Sequence, residues 1–267
     1  MAMKMLFASL MADNAAGLYT ALADHLTRRL GIPVQPLTDS SWQARARMLS
    51  AGQAQLGVVC GLQYVYALDG GERPGLELLA APVMRAPRYA DRPIYFSDVV
   101  VRQASRARAL ADLRGAAWAF NEPTSQSGYN LARYTLAVRG ETEGFFGRAV
   151  ASGAHQRSLE LVLDGQVDAS AIDSTVLEQE LRQRPELGQR LRVIETLGPS
   201  PIPPLVASRA LPQTLREAVR GTLLEMHRDQ GGAEVLAEWG IARLQAVVDA
   251  DYDPIREMAR IAAAATL

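Results

Sequence analysis

The sequence predicts an α/β fold whose sheet is covered by helices on both faces. Three observations carry that prediction. Short apolar runs alternate with helical stretches along nearly the whole chain. The strand candidates are apolar throughout instead of alternating with polar residues, as in strands buried on both faces. And 267 residues, 48% of them apolar and 21% charged, suffice to bury a core without disulfide or metal staples.

Met5 to Ala12 reads as a first buried strand, with Asp13 or Asn14 expected to cap the next helix. That helix sets Leu18, Leu22, Leu26 and Leu30 four residues apart and stops at Gly31, a usual C′ residue. The apolar run after Lys4 has the look of a short signal-peptide core. It lacks a basic leader and Asp13-Asn14 follows at once, so no export signal is expected. Ile32 to Leu37 reads as a strand, Trp42 to Ala51 as a helix ended by Gly52, Gln55 to Cys60 as a strand and Leu62 to Leu68 as a helix. Leu76 to Val83 and Ile94 to Val101 are further strands.

The second half repeats the theme. Ala116 to Phe120 is a strand, followed by a polar loop and a helix from about Tyr129 to Val138. A strand near Ala149, a helix from His155 to Leu163 and the strand Val167 to Ile172 come next. Thr175-x-x-Glu178 has the pattern of a capping box for a helix ending near Pro185. Leu191 to Leu197 is a strand, and the proline-dense Gly198 to Pro204 is a stiff crossover between lobes. One more strand, Leu205 to Ala207, precedes helices running to the C-terminus.

Composition excludes several chemistries. A net charge of −1 supplies no field for nucleic acid or anionic lipid. No apolar run reaches the roughly 18–20 residues of a membrane span. Lys4 is the single lysine and Met5 follows it, so a Walker-type phosphate loop is absent. His25, His155 and His227 lack metal-binding spacing, and no metal or cofactor is expected. His25 and His227 lie beside arginines and read as surface residues. Cys60 has no second cysteine to pair with.

Three polar junctions stand out, each between a strand and a helix. Asn121 to Asn130 packs the hydroxyls of Thr124, Ser125 and Ser127 around Gln126, then Gly128 opens a helix. Unpaired N–H groups at a helix start favour an oxyanion, and hydroxyls there add donors without formal charge. Ser152 to Ser158 places His155 at a second helix start. Asp168 to Ser174 puts Asp173 at the carboxyl end of a strand, where open α/β sheets bind ligands or where an aspartate caps the next helix. Ser127, His155 and Asp173 also form a hydrolase-triad composition, but no G-x-S-x-G elbow accompanies them.

With these residues in view, the chain resembles the phosphate/phosphite/phosphonate-binding proteins of ABC transporters, the PhnD-like group of periplasmic solute-binding proteins. The matching segments are D-L-R-G-A-A-W-A-F-N-E-P-T-S-Q-S-G-Y (112–129), S-G-A-H-Q (152–156), D-G-Q-V-D-A-S-A-I-D-S (164–174) and P-I-Y-F-S-D-V-V-V-R (93–102). The resemblance implies a two-lobed, type II periplasmic-binding-protein fold, its lobes joined by two hinge strands and closing on a ligand. It places residues 1–98 plus 204–267 in one lobe and 99–203, with the serine-glycine loop, in the other. It carries ligand contacts to Ser125, Ser127, His155, Asp173 and Tyr95. Thr124 and Gln126 complete the expected set, Gln126 standing where relatives often have threonine. The implied function is non-enzymatic capture of a small oxyanion for an ABC permease, by a monomer outside the cytoplasm. With no signal peptide expected, a cytoplasmic chorismate-dehydratase-like enzyme and a ligand sensor are the alternatives.

Overall fold

The computed structural model describes residues 4–69 and 75–267. In chain order it contains β1 (Met5–Ser9), α1 (Ala16–Leu30), β2 (Val34–Pro36), α2 (Trp42–Ser50), β3 (Leu56–Val58), α3 (Gly61–Asp69), β4 (Leu76–Met84) and β5 (Ile94–Arg102). There follow β6 (Ala117–Phe120), α4 (Leu131–Val138), β7 (Arg148–Ala151), α5 (His155–Leu163), β8 (Ala169–Asp173), α6 (Ser174–Gln183), α7 (Leu187–Arg190) and β9 (Leu191–Pro201). The chain ends with β10 (Leu205–Ser208), α8 (Gln213–Glu225), α9 (Gln230–Glu238), β11 (Ile241–Gln245) and α10 (Asp253–Ala262). Two compact units result: the chain up to Ile94 with Pro201–Tyr252, and Tyr95–Ser200 with Asp253–Leu267. The chain passes from one to the other within β5 and within β9, and once more after Tyr252.

The first unit holds a six-stranded sheet of order β11-β4-β10-β3-β1-β2. β1 is parallel to β2 and β3, while β10 runs antiparallel between β3 and β4. α1 buries Leu18, Leu22 and Leu26 and ends at Gly31, whose φ of +67° suits glycine and whose N–H donates to Thr27 O. Its start departs from expectation: a 3₁₀ turn, Asp13–Ala15, leads in, and no side chain caps it. His25 also departs. It is 1% exposed, with Nδ1 3.7 Å from Asp229 Oδ2, because it continues the buried face of α1. Burial lowers its pKa, and Asp229 pulls the other way.

β11 was expected to be helix. Its buried residues, Ile241 and Leu244, stand three apart, a helical spacing. A register shift against β4 between Ile241 and Arg243 lets a strand bury both.

The second unit holds a five-stranded sheet of order β7-β6-β8-β5-β9. β6 is parallel to β7 and to β8, so all three end on one edge. β8 is antiparallel to β5, with Ser97 opposite Asp173. Val99, Val101, Trp118, Ala169 and Ala171 form one apolar face, covered by Leu131, Ala132 and Leu136 of α4. Trp118 stacks on Phe146 at 4.5 Å, an arrangement worth about 0.5–1.5 kcal/mol beyond its buried area.

The C-terminal stretch, expected with the first lobe, packs here. α10 lies against α4, Met258 and Ala265 join the apolar cluster, and Arg133 Nε donates to Ala265 O at 2.7 Å. An apolar stripe alone does not say which sheet a terminal helix covers.

Candidate functional site

The parallel strands β6, β7 and β8 end at Phe120, Ala151 and Asp173, so the three polar junctions emerge on one edge of one sheet. After β6, Ser125 adopts an extended backbone and its Oγ accepts the Gly128 N–H at 3.0 Å. A serine N-cap of this kind contributes about 1 kcal/mol. The Asn130 N–H donates to Ser125 O, making Gln126–Asn130 a π-type turn that feeds α4. Such turns are rare and cluster at functional sites. Gly128 is required by close approach: a Cβ there would lie 2.0 Å from Asn121 Oδ1 and 3.1 Å from His155 Cε1.

Ser127 joins two junctions. Its Oγ is 3.1 Å from His155 Nε2, and its carbonyl accepts from Ser97 Oγ at 2.8 Å. His155 opens α5, whose N-cap, Ala154, offers no side chain to the free N–H groups. Burial pushes the His155 pKa down to about 4. At pH 7 the imidazole is therefore neutral and acts through hydrogen bonds, not charge. Among the described residues, His155 Nδ1 and Asn121 Oδ1 are buried without partners. Each such orphan costs about 1–3 kcal/mol, a penalty that a bound group or water removes.

Asp173 ends β8 and caps α6. Its Oδ1 accepts from Thr175 N at 2.8 Å, Thr175 Oγ1 at 2.7 Å and Val176 N at 3.4 Å. The expected capping box at Thr175 is thus replaced by a cap two residues earlier. Burial raises the Asp173 pKa to about 6, against the pull of the Thr175 and Val176 hydrogen bonds, and Asp98 adds repulsion. Glu122 is a second carboxyl beside the turn; burial raises its pKa, while the Thr124 hydroxyl lowers it.

The structure brings Ser125, Ser127 and His155 together, with Asp173 opposite Ser97, the residue that holds the Ser127 carbonyl. Tyr95 lies two residues before Ser97 on the same strand and is 1% exposed, so its side chain belongs to that face of the sheet. Thr124 engages Glu122. Gln126 turns into the interior: it is 0% exposed and reaches Ser200 and Met258. The triad is not assembled, since the donors to Asp173 Oδ1 belong to the start of α6 and His155 Nδ1 has no partner.

Ser97, Asn121, Glu122 and Asn130 also stand at the site, beyond the residues the sequence assigns to the ligand. Asn121, Glu122 and Asn130 share the signal of the polar stretch between β6 and α4. Ser97 sits inside an apolar strand, and only its partner across space marks it. Among the described residues, no cluster of three or more metal-ligating side chains occurs, and no helix is long and apolar enough to cross a membrane.

Known structures share this architecture. A binding-protein component of a phosphonate ABC transporter from Pseudomonas aeruginosa superposes with a TM-score of 0.84 at 19% identity, over 97% of this chain and 86% of that one. PhnD1 from Prochlorococcus marinus, solved in complex with methylphosphonate, gives 0.83 at 19% identity over 96% and 97%. The periplasmic aliphatic sulphonate binding protein SsuA from Escherichia coli gives 0.66 at 17% identity over 97% and 90%. At these identities the likeness establishes the two-lobed α/β fold of periplasmic binding proteins. A family model described as "ABC transporter, phosphonate, periplasmic substrate-binding protein" matches residues 7–252. The chain belongs to the family of periplasmic substrate-binding proteins of phosphonate ABC transporters.

Proposed function

We propose that this protein captures a small tetrahedral oxyanion of the phosphonate, phosphite or phosphate class at the carboxyl edge of the second unit's sheet, and delivers it to an ABC permease outside the cytoplasm. The observation that carries this reading is the convergence of the Ser125–Asn130 turn with His155, tied by the Ser127–His155 hydrogen bond. Hydroxyls, a neutral imidazole and the N–H groups at the start of α5 bind an anion by directed dipoles. Ser125, Ser127, His155 and Asp173 are the residues assigned to the ligand, with Thr124 and Tyr95 beside them. With a pKa of about 6, Asp173 is mainly ionised at pH 7; its carboxylate then accepts from a protonated oxygen or a ligand amine and repels a bare dianion, so it favours a monoanion or a zwitterion.

Methylphosphonate bound to PhnD1 supports the ligand class, and SsuA, an aliphatic sulphonate binding protein of the same fold, makes a sulfur oxyanion the control. The test is a thermal-shift panel of methylphosphonate, 2-aminoethylphosphonate, phosphite, phosphate, sulfate and acetate, followed by calorimetric titration. A ligand at a hundred times its Kd stabilises by about 2.7 kcal/mol. A phosphorus oxyanion that shifts the melt while sulfate and acetate do not is the expected outcome. Absence of a shift with every phosphorus oxyanion overturns the proposal.

A further inference from the structure

The residue between the two serines of the turn has its own geometry. Gln126 Nε2 donates to Ser200 Oγ at 3.2 Å and to Met258 Sδ at 3.2 Å, and its Oε1 accepts from Asn130 Nδ2 at 2.8 Å. Gln126, Ser200 and Asn130 are each 1% exposed or less. The partners come from three places in the second unit: the end of β9, the C-terminal helix α10, and the last residue of the turn itself.

We propose that Gln126 is a positioning residue: it fastens the turn bearing Ser125 and Ser127 to β9 and α10, and does not touch the ligand. This inference rests on the reading of that turn as the oxyanion site. Three arguments support it. First, both ends of the amide are engaged, so its orientation is fixed by the network instead of being free to follow a ligand. Second, a π-type turn is a costly backbone shape that persists only where its surroundings hold it. Ser125 fastens the turn from its own start, Ser97 holds the Ser127 carbonyl from the sheet, and Gln126 fastens it to α10. Third, the reach is specific to a long amide. A threonine here, as in the resembled motif, ends two bonds nearer the backbone and would have to find other partners. The C-terminal segment therefore completes the site from behind, although the sequence separation between Gln126 and Met258 is 132 residues.

The experiment compares the full-length protein with Gln126→Leu, Ser200→Ala and Met258→Leu. Titrations use methylphosphonate, phosphite and inorganic phosphate, and amide hydrogen exchange is followed at Gly128 and Asn130 without ligand. Gln126→Leu is expected to weaken every oxyanion that the wild type binds by the same factor, on the order of tenfold. It should also speed exchange at both amides. Ser200→Ala, the milder change, should move the same readouts less, and combining it with Gln126→Leu should add nothing further. A Gln126→Leu protein with wild-type affinity overturns the inference. So do losses that differ from ligand to ligand, which mark direct contact. If the wild type binds none of the three anions, the functional reading fails by itself. The exchange data then still decide the positioning role, since unchanged protection in Gln126→Leu refutes it.

Discussion

The carboxyl edges of the two sheets are built alike and furnished differently. In the first unit β1 and β3 end side by side and lead into Leu10-Met11-Ala12 and Val59-Cys60, largely apolar continuations. The hydroxyls at that edge mostly bond locally: Ser9 Oγ accepts from Met11 N at 3.2 Å and, past β2, Ser41 Oγ accepts from Ala44 N at 3.3 Å, while Ser40 Oγ is buried without a partner among the described residues. In the second unit the corresponding edge carries Ser125, Ser127, His155 and Asp173, all buried. The contrast extends through each interior: among the described residues, most of the fully buried polar side chains fall in the second unit, with His25 and Ser208 in the first. Burying a polar group costs about 1–3 kcal/mol unless a partner compensates it. The denser set of buried polar groups in the second unit is what the proposed oxyanion site at its edge requires.

The largest test of this contrast is Gly128→Ala. The new Cβ would meet Asn121 Oδ1 at 2.0 Å, so the Asn121 side chain or the turn itself must shift. We expect oxyanion binding to be abolished and stability to fall by about 1–3 kcal/mol, read by titration and urea unfolding. Unaltered binding would mean that the turn is not the site.

The next effect is on pH dependence, and it has two opposed limbs. Asp173 has its folded pKa raised from 3.8 to about 6. The folded state therefore binds more protons between those values, and the group destabilises increasingly from pH 4 to pH 6 and fully above. Asp173→Asn should gain stability over that window, by up to about 3 kcal/mol. His155 is lowered from 6.5 to about 4. Its destabilisation is absent above pH 6.5 and grows as pH falls to 4, so His155→Gln should flatten the acid side. Unfolding curves between pH 4 and pH 8 separate the two. Parallel pH profiles for wild type and Asp173→Asn would show that its carboxyl is not held as described.

A smaller loss is expected for Ser125→Ala, which removes the bond to the Gly128 N–H: about 1 kcal/mol of stability, with a measurable drop in oxyanion affinity. Smallest is the matching change on the other edge. Ser9→Ala should leave affinity unaltered and stability within about 0.5 kcal/mol. A loss of binding in Ser9→Ala equal to that in Ser125→Ala would erase the distinction between the edges.

Much of this was legible locally. The helix beginning at His155 and ending at Leu163, the stop at Gly31 and the polar junction before α4 follow from short-range rules of periodicity and turn chemistry. Three readings failed for one reason. His25 was read as a surface residue because arginines adjoin it, yet its exposure depends on what packs over α1. β11 was hidden because a register shift disguises its period. The C-terminal helix was assigned to the wrong unit because its partner, α4, lies far off in sequence.

The sequence alone determined the alternation of elements, the ends of most helices and the hydroxyl-rich motif that ties the chain to its family, since each depends on residues a few positions apart. Tertiary structure decided the rest: that Ser127 meets His155 while Gln126 turns inward to Met258, that His155 is neutral and Asp173 hard to ionise. Direction of a side chain and cost of a charge depend on the neighbours and the solvent excluded around them, and those are set only when distant segments meet.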